Sequence, residues 1–427
     1  ASLNGAIVNM AQNYVGSNNI NLLLPNGQFG TRLHGGDDSA SERYIFTQLN
    51  TLTRYIFTDV DDAILNYLND DGTLVEPEYY MPIIPFALIN GISGIGTGFS
   101  CSIAPYNPKE IINYLQNMLK NKNDDFEFVP YYEGFKGTVR KIEENKFMIK
   151  GCYEKVSDDK IRITELPVGT WTMPYTSYLE TLVDGVVDNK TGKRGSPQLR
   201  DFSSTCTEVS VDILIVFPRG KLNDLESNTD ANGCNGVEKL LKLQTTVSTT
   251  NMHMFDKDCR LHKYRSVQEI IQEFYGVRLN AYTKRKDYQL NEMRHKLVRL
   301  SNRAKYIQEN LSGTIDLRRM KTEAVSELLT SKNYDKIDGD FKYLVKMPMD
   351  SVTEENVANI MNEKETTEKN IETLIKTSVE TIWHRELTTL DKEYDKYKLQ
   401  REKIQMGSGE KNTAKKTGKK VKIVRKK

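Results

Sequence analysis

No apolar run in this sequence approaches the ~20 residues that a helix needs to cross a bilayer. The first residues, Ala-Ser-Leu-Asn-Gly, carry neither the basic nor the hydrophobic region of a secretory leader. No initiator Met precedes them, which fits a fragment or a processed chain. Cysteine is sparse: Cys101, Cys152, Cys206, Cys234 and Cys259 are odd in number, far apart, and form no CxxC pair or metal-ligand spacing. Extracellular, membrane-spanning and zinc-finger readings drop out, and a reducing compartment is expected. Also missing are a nucleophile-elbow serine, an HExxH helix and a complete phosphate loop. Thr191-Gly192-Lys193 has the end of such a loop without the earlier glycine or the Ser/Thr after Lys193.

Net charge is small as well, at +2 from 60 Lys+Arg and 58 Asp+Glu. That total hides a split. Residues 406–427 carry nine Lys/Arg against one acid, Glu410, a charge of +8 that leaves residues 1–405 at −6. Any basic nucleic-acid surface in the body must therefore be local. The tail after Met406-Gly407-Ser408-Gly409 is Lys-rich, nearly free of apolar residues and expected to be disordered, with DNA binding, nuclear targeting and simple solvation all open as its role.

What is present suits an α+β multidomain chain, since 427 residues exceed one compact core and fit two to four domains of roughly 100–200 residues. Residues 1–83 open with Leu3, Ile7, Met10, Ala11 and Tyr14 at helical spacing, stopped by Gly16-Ser17-Asn18-Asn19. Gly27–Gly36 follows, too rich in glycine for a helix and suited to a loop lying against a ligand. Ser39-Ala40-Ser41-Glu42 is placed to cap a short element carrying Arg43-Tyr44. Residues 84–258 alternate in the manner of half-buried strands at Thr138–Ile142, Lys146–Lys150, Lys160–Glu165 and Val209–Phe217. Residues 259–405 are helical. Leu290, Met293, Leu297, Leu300, Ala304, Ile307 and Leu311 form one heptad seam, and Trp383, Leu387, Leu390, Tyr394 and Tyr397 a second. Their charged flanks favour two exposed antiparallel arms with a helical knob between them, and an ordinary bundle accounts for the seams equally well.

Two segments carry possible chemistry. Gly94-Ile95-Gly96-Thr97-Gly98 lacks the third glycine and the βαβ setting of a dinucleotide fingerprint. It does set an aliphatic side chain at the tip of a small-residue turn, where Ile95 is either a wedge for a DNA base step or a buried turn residue. Arg43-Tyr44 pairs a phenol, which titrates near 10 and needs help to act as a nucleophile at neutral pH, with a guanidinium. The guanidinium favours the phenolate and offers a planar fork of donors where charge grows on phosphorus. With 22 tyrosines in the chain, the pair alone does not single out Tyr44.

A resemblance does. Asn13–Leu23, Gly27–Gly36 and Arg43-Tyr44-Ile45-Phe46-Thr47 closely resemble the breakage-reunion region of eukaryotic-type DNA topoisomerase II, a type IIA enzyme. The likeness continues through Pro82-Ile83-Ile84-Pro85, Leu88–Gly91, Gly94–Gly98, Gly134–Thr138, Ile163–Pro167 with Thr170-Trp171-Thr172, Phe274-Tyr275 with Arg278-Leu279, and Tyr343–Pro348. It covers about residues 1 to 400. The resemblance implies that Tyr44 is the nucleophile that becomes linked to the 5′ phosphate of cut DNA, Arg43 the neighbouring transition-state stabiliser, and Ile95 the intercalating wedge. Lys242, Gln244, Thr245, Thr246, Thr249 and Asn251 fall in a segment similar to one that lies near DNA. Arg32 is added on physical grounds as a phosphate contact, with a solvent-exposed arginine as the alternative.

The resemblance further implies a winged-helix domain at 1–83, cut into at its start, a tower at 84–258, and coiled-coil arms with a C-gate dimer contact at 259–405. It implies double-stranded DNA and a second copy of the chain as partners, with ATPase and Mg²⁺-binding (TOPRIM) domains elsewhere in the parent protein. Mg²⁺ and ATP are thus cofactors of the parent, with no metal or nucleotide site expected in this chain, which alone should not cleave DNA at a useful rate. Location follows as the nucleus, or a cytoplasmic replication site if the source is a large DNA virus; the short tail points to a virus or protist. The competing readings are a catalytically silent DNA-bending clamp and a bacterial-type subunit of gyrase or topoisomerase IV, the latter disfavoured by the sequence after Tyr44. If the tail touches phosphates, removing residues 407–427 lowers the slope of log affinity against log salt, read by duplex titrations at several salt concentrations.

Overall fold

The computed structural model describes residues 2–122, 126–185, 195–317, 320–348 and 352–405. The Thr191-Gly192-Lys193 run and the basic tail lie outside them. The chain mixes α and β structure and forms two compact units. One holds Ala1–Ile56, Ile84–Ile271 and Thr388–Lys427, and the other Phe57–Ile83 and Gln272–Leu387.

The core of the first unit is a four-stranded antiparallel sheet, ordered Cys152–Ser157, Lys160–Glu165, Ile213–Val216, Asp201–Ser204. Its register sets Ile163 beside Ile213 and Ile161 beside Ile215, so the alternation of both strands delivers branched side chains to one face. The helix Thr172–Asp184 lays Tyr175, Leu179 and Leu182 into the same cluster, and the Tyr175 hydroxyl donates to Leu241 O at 2.7 Å. Each isoleucine fully buried there contributes about 1.5–3 kcal/mol. A three-stranded sheet ordered Gln244–Ser248, Lys146–Lys150, Thr138–Glu143 lies in the same unit. The strands stand close to the segments read in the sequence, but Lys146–Lys150 buries Phe147, Met148 and Ile149 in succession rather than alternately, and the segment Val209–Phe217 is a strand only over Ile213–Val216.

The first helix differs from its pattern. It spans Ser2–Ala11 and buries Val8 and Ala11, while Leu3 and Met10 are exposed and Tyr14 lies beyond its end. The Asn18 side-chain amide donates to Asn9 O and Gln12 O, satisfying carbonyls that another helical turn would have used. The short element at Glu42–Tyr44 is a 3₁₀ turn, and Ser41 at its start makes no side-chain capping bond.

In the second unit the helix Val267–Leu311 carries the first seam. Leu300, Ala304 and Ile307 close on Ile360 of the helix Glu354–Lys376, and Leu311 at the far end is exposed. Tyr306, Ile315, Val325, Leu329, Tyr334, Phe341 and Leu344 form a separate small core. The second seam is not one continuous interhelical seam. Trp383 belongs to the second unit, stacked on Tyr275 and Tyr282 with its indole N–H on Ile83 O at 2.9 Å. Tyr394 and Tyr397 belong to the first unit, where their hydroxyls reach Glu133 and Asn21 at 2.7 and 2.6 Å. A tyrosine at a seam position brings a hydroxyl that needs a polar partner, and a helix flank does not supply one.

Buried ions hold the base of the second unit. Asp61 accepts from Arg278 at 2.6 Å and from Arg285 at 3.3 Å, and Arg285 reaches Glu386 at 2.6 Å. Asp61→Ala takes from the buried Arg278 its carboxylate and leaves Arg285 with Glu386, and is expected to destabilise this unit by about 3–5 kcal/mol, measured by urea unfolding followed through Trp383 fluorescence.

Candidate functional site

Tyr44 is held by backbone rather than by side chains. Two residues after it, Phe46 and Asn26 exchange N–H···O bonds of 3.0 and 3.1 Å, Leu24 N donates to Gln48 O at 2.9 Å, and Asn50 N donates to Leu22 O at 2.9 Å. This ribbon starts where Gly27, at φ +118°, leaves room for the Ile45 side chain, which would lie 2.9 Å from a Cβ there. Tyr44 is 72% exposed, more than any other tyrosine of the described residues. The Arg43 guanidinium carbon stands 5.9 Å from the Tyr44 ring centre, and Arg43 too is exposed. Several other phenols are buried and harder to ionise. Burial, then the Asp38 and Asp37 carboxylates, push Tyr14 up to about 12, and burial raises Tyr106, Tyr131, Tyr175, Tyr282 and Tyr394.

The glycine-rich loop borders a cavity along Gly27–Arg32 and is tightly packed at its later glycines. A Cβ on Gly30 would stand 2.6 Å from Gly36, and one on Gly35 would run into the Trp171 indole at 2.3 Å. The loop needs its glycines because it folds onto itself and onto Trp171. Burial alone would raise the Asp38 carboxyl, but the Thr31 hydroxyl and amide, at 2.6 and 2.8 Å, hold it below the usual carboxylate range.

Arg32 is the clearest correction. It is 5% exposed and bound to Glu165 at 2.5 Å, so neither the phosphate contact nor the solvated arginine stands. Glu165 also accepts from Leu166 N and Lys136 N. The missed residue is Glu165, and its signal was present: in Lys160–Glu165 it shares the inward parity of Ile161 and Ile163, where a carboxylate demands a buried partner.

Ile95 sits in the hairpin of Ile92–Gly96 with Phe99–Ile103, opposite Ser100, and is 94% exposed. The tip is not a buried turn. The strand Phe99–Ile103 is tied down from behind: Ser102 N donates to Asn251 O, and the Asn251 side-chain amide donates to Ser100 Oγ, both at 2.8 Å. His253 Nδ1 lies 2.8 Å from Asn251 Oδ1. Both ends of the Asn251 amide are thus engaged inside the protein. Thr249 is buried, with its amide on Asn145 O, which corrects its reading as a surface contact. Lys242 lies 4.0 Å over the Tyr178 ring, Thr246 is exposed, and Gln244 and Thr245 are half-buried on an edge strand.

The chain has relatives of known function. The family model for the A-type subunit of DNA gyrase/topoisomerase IV matches residues 1–388. The chain belongs to the type IIA DNA topoisomerases. It is 37% identical over 468 residues to DNA topoisomerase 2 of Arabidopsis thaliana, covering 99% of this chain and 31% of that protein. To DNA topoisomerase 2-beta of Homo sapiens it is 35% identical, covering 97% of this chain and 27% of that protein. The crystal structure of the Plasmodium falciparum topoisomerase II DNA-binding, cleavage and re-ligation domain matches with a TM-score of 0.84 at 33% identity, over 96% of this chain and 56% of that one. The chain therefore corresponds to the breakage-reunion region of a type IIA topoisomerase and spans under a third of the length of these curated relatives. The bacterial-type alternative gains no better support than the eukaryotic one.

Arg32→Ala in this topoisomerase region leaves Glu165 buried without a counter-ion. It is expected to cost about 3–5 kcal/mol of stability in thermal unfolding. The log–log salt slope of duplex binding should stay unchanged, where loss of a phosphate contact would lower it by about 0.9.

Proposed function

We propose that this chain is the DNA-cutting and rejoining part of a dimeric, ATP-dependent type IIA topoisomerase that passes one duplex through a double-strand break in another. The observation that carries the proposal is Tyr44: an exposed phenol beside an exposed arginine, on a ribbon fixed by backbone bonds, in a chain of this family. The Tyr44 oxygen attacks the scissile phosphorus, the bond from phosphorus to the 3′ oxygen breaks, and the 3′ hydroxyl leaves with a proton. The 5′ phosphate remains on Tyr44 as a diester, and the reverse attack by the 3′ hydroxyl reseals the strand and frees the phenol. Arg43 holds the non-bridging oxygens as their charge grows.

Ile95 is the wedge. An aliphatic side chain at the exposed tip of a clamped hairpin can enter a base step, and smooth bending of a site costs on the order of 1–6 kcal/mol that such contacts must offset. Thr246 is placed to meet phosphate through its hydroxyl. The winged-helix, tower, coiled-arm and basic-tail divisions at residues 83, 258 and 405 belong to this proposal, as do dimerisation through the helical knob and a nuclear location. Among the described residues no helix is long and apolar enough to cross a membrane.

Mg²⁺ and ATP enter through the rest of the parent enzyme. Among the described residues there is no group of three or more His, Cys, Asp or Glu side chains that could hold a metal.

The test joins this chain to its ATPase and Mg²⁺-binding domains and mixes the enzyme with supercoiled plasmid, Mg²⁺ and ATP before a detergent quench. Protein-linked linear DNA is expected from the unaltered enzyme and not from Tyr44→Phe, with duplex affinity nearly equal in the two. Adducts in neither would favour the silent clamp, and adducts in both would assign another tyrosine. Ile95→Ala should leave the melting temperature unchanged and weaken bending of a short duplex, read by end-to-end fluorescence transfer.

A further inference from the structure

The helix Val379–Gln405 carries Tyr397 and Arg401 one turn apart, on one face. Arg401 is 5% exposed. Its Nη1 donates to Asn18 O at 3.0 Å, Asn19 O at 2.9 Å and the Tyr397 hydroxyl at 3.0 Å, and its Nη2 donates to Asn13 O at 2.6 Å. A single guanidinium thus gathers three carbonyls of the irregular stretch between Asn13 and Asn19. The Tyr397 hydroxyl donates to Asn21 Oδ1 at 2.6 Å. From Asn21 the bonds lead on toward Tyr44. Asn21 O accepts from the Asn50 side chain at 2.9 Å, and Asn50 N, Gln48 O and Phe46 pair with Leu22, Leu24 and Asn26.

Packing holds part of this stretch, with Val15 and Ile20 buried and Tyr14 edge-on to Trp171 at 5.7 Å, and the Asn19 side chain donates to Ile89 O and Tyr131 O. A cavity of about 450 Å³, lined among others by Asn21, Asn26, Gln28, Tyr397 and Arg401, lies alongside the loop. On that side, beside the open space, the backbone is held by the hydrogen bonds of Tyr397 and Arg401.

We propose that Tyr397 and Arg401 are positioning residues for Tyr44, holding the loop of residues 13–21 so that the ribbon of residues 22–26 and 46–50 presents the phenol at one distance from the scissile phosphate. The proposal rests on the reading of Tyr44 as nucleophile. Neither residue touches the reacting atoms. Their effect is on geometry, where a misplacement of about 1 Å can cost about 100-fold in rate.

The test uses the full enzyme, with its ATPase and Mg²⁺-binding domains, and compares Tyr397→Phe, Arg401→Lys and Tyr44→Phe with the unaltered protein. Three quantities are read: duplex affinity at equilibrium, single-turnover formation of covalent adduct, and hydrogen exchange over residues 13–26 and 46–50. The expected result for Tyr397→Phe and Arg401→Lys is unchanged affinity, adduct formation slowed at least about tenfold, and faster exchange confined to those segments. Tyr397→Phe removes one oxygen from the fold and decides the matter if Arg401→Lys does not fold. Adduct formation undiminished in Tyr397→Phe overturns the proposal alone. Affinity and cleavage falling together, with faster exchange throughout the first unit, also overturns it, since that is the mark of general destabilisation. Adducts surviving in Tyr44→Phe overturn the reading of Tyr44 and the proposal with it.

Discussion

The Arg32–Glu165 pair is the constraint on which the geometry around Tyr44 depends. Glu165 ends the inward row of a core strand, and a carboxylate there is tolerated only with a matched cation and filled lone pairs. Arg32 supplies the cation, and its backbone supplies more: Arg32 O and Leu33 O accept from Thr172 N and Met173 N at the start of the helix Thr172–Asp184. Those amides have no partner within the helix, so the glycine-rich loop is also that helix's cap. The loop in turn bonds through Gln28 O to Ala40 N, just ahead of Arg43-Tyr44. Sheet, loop and phenol form one chain of contacts in which the ion pair is the link least able to shift.

How much of this was legible in the sequence depends on what kind of rule each element obeys. The strands at Thr138–Glu143, Lys146–Lys150 and Lys160–Glu165 lie where strands were read, but only Lys160–Glu165 buries alternate residues; Lys146–Lys150 buries Phe147, Met148 and Ile149 in succession. The exposure of Ile95 was half legible, since a small-residue turn with one aliphatic has only two fates and the choice depends on what stands behind it. Arg32 was misread because an arginine on a glycine loop looks the same whether it faces a phosphate or a carboxylate more than a hundred positions away. Parity in the partner strand held the answer. The second heptad seam was legible in part: Trp383, Leu387, Leu390 and Tyr394 are buried as their spacing implies, but spacing says nothing of where the Tyr394 and Tyr397 hydroxyls must go.

The segment from Lys242 to Asn251 shows the same limit from the other side. Its likeness to a segment near DNA led to a reading as a row of DNA contacts, yet Thr249 is buried and both ends of the Asn251 amide are engaged by Ser100 and His253. Part of that polarity is structural. An aliphatic side chain held at 94% exposure has no burial to fix its hairpin, so the hairpin must be fixed through its backbone and the side chain opposite. Ser100, paired across from Ile95, is where Asn251 does so. The polar segment and the apolar tip are then two halves of one device.

Seen through desolvation, the arginines sort themselves. Arg32, Arg278, Arg285 and Arg401 are buried, and each meets carboxylates or backbone carbonyls. A guanidinium out of water without such partners would cost several kcal/mol. Arg43 is exposed and has no ion pair among the described residues; its nearest aromatic neighbour is the Tyr44 ring. Left in water, it keeps its donors at little cost in stability, because a surface charge gains little from any pair it might form. A phosphate arriving at Tyr44 would meet that fork without breaking an internal bond first. The same reasoning explains why the phenol is positioned by its backbone: bonds made by the Tyr44 hydroxyl or the Arg43 fork would have to be undone before either could act.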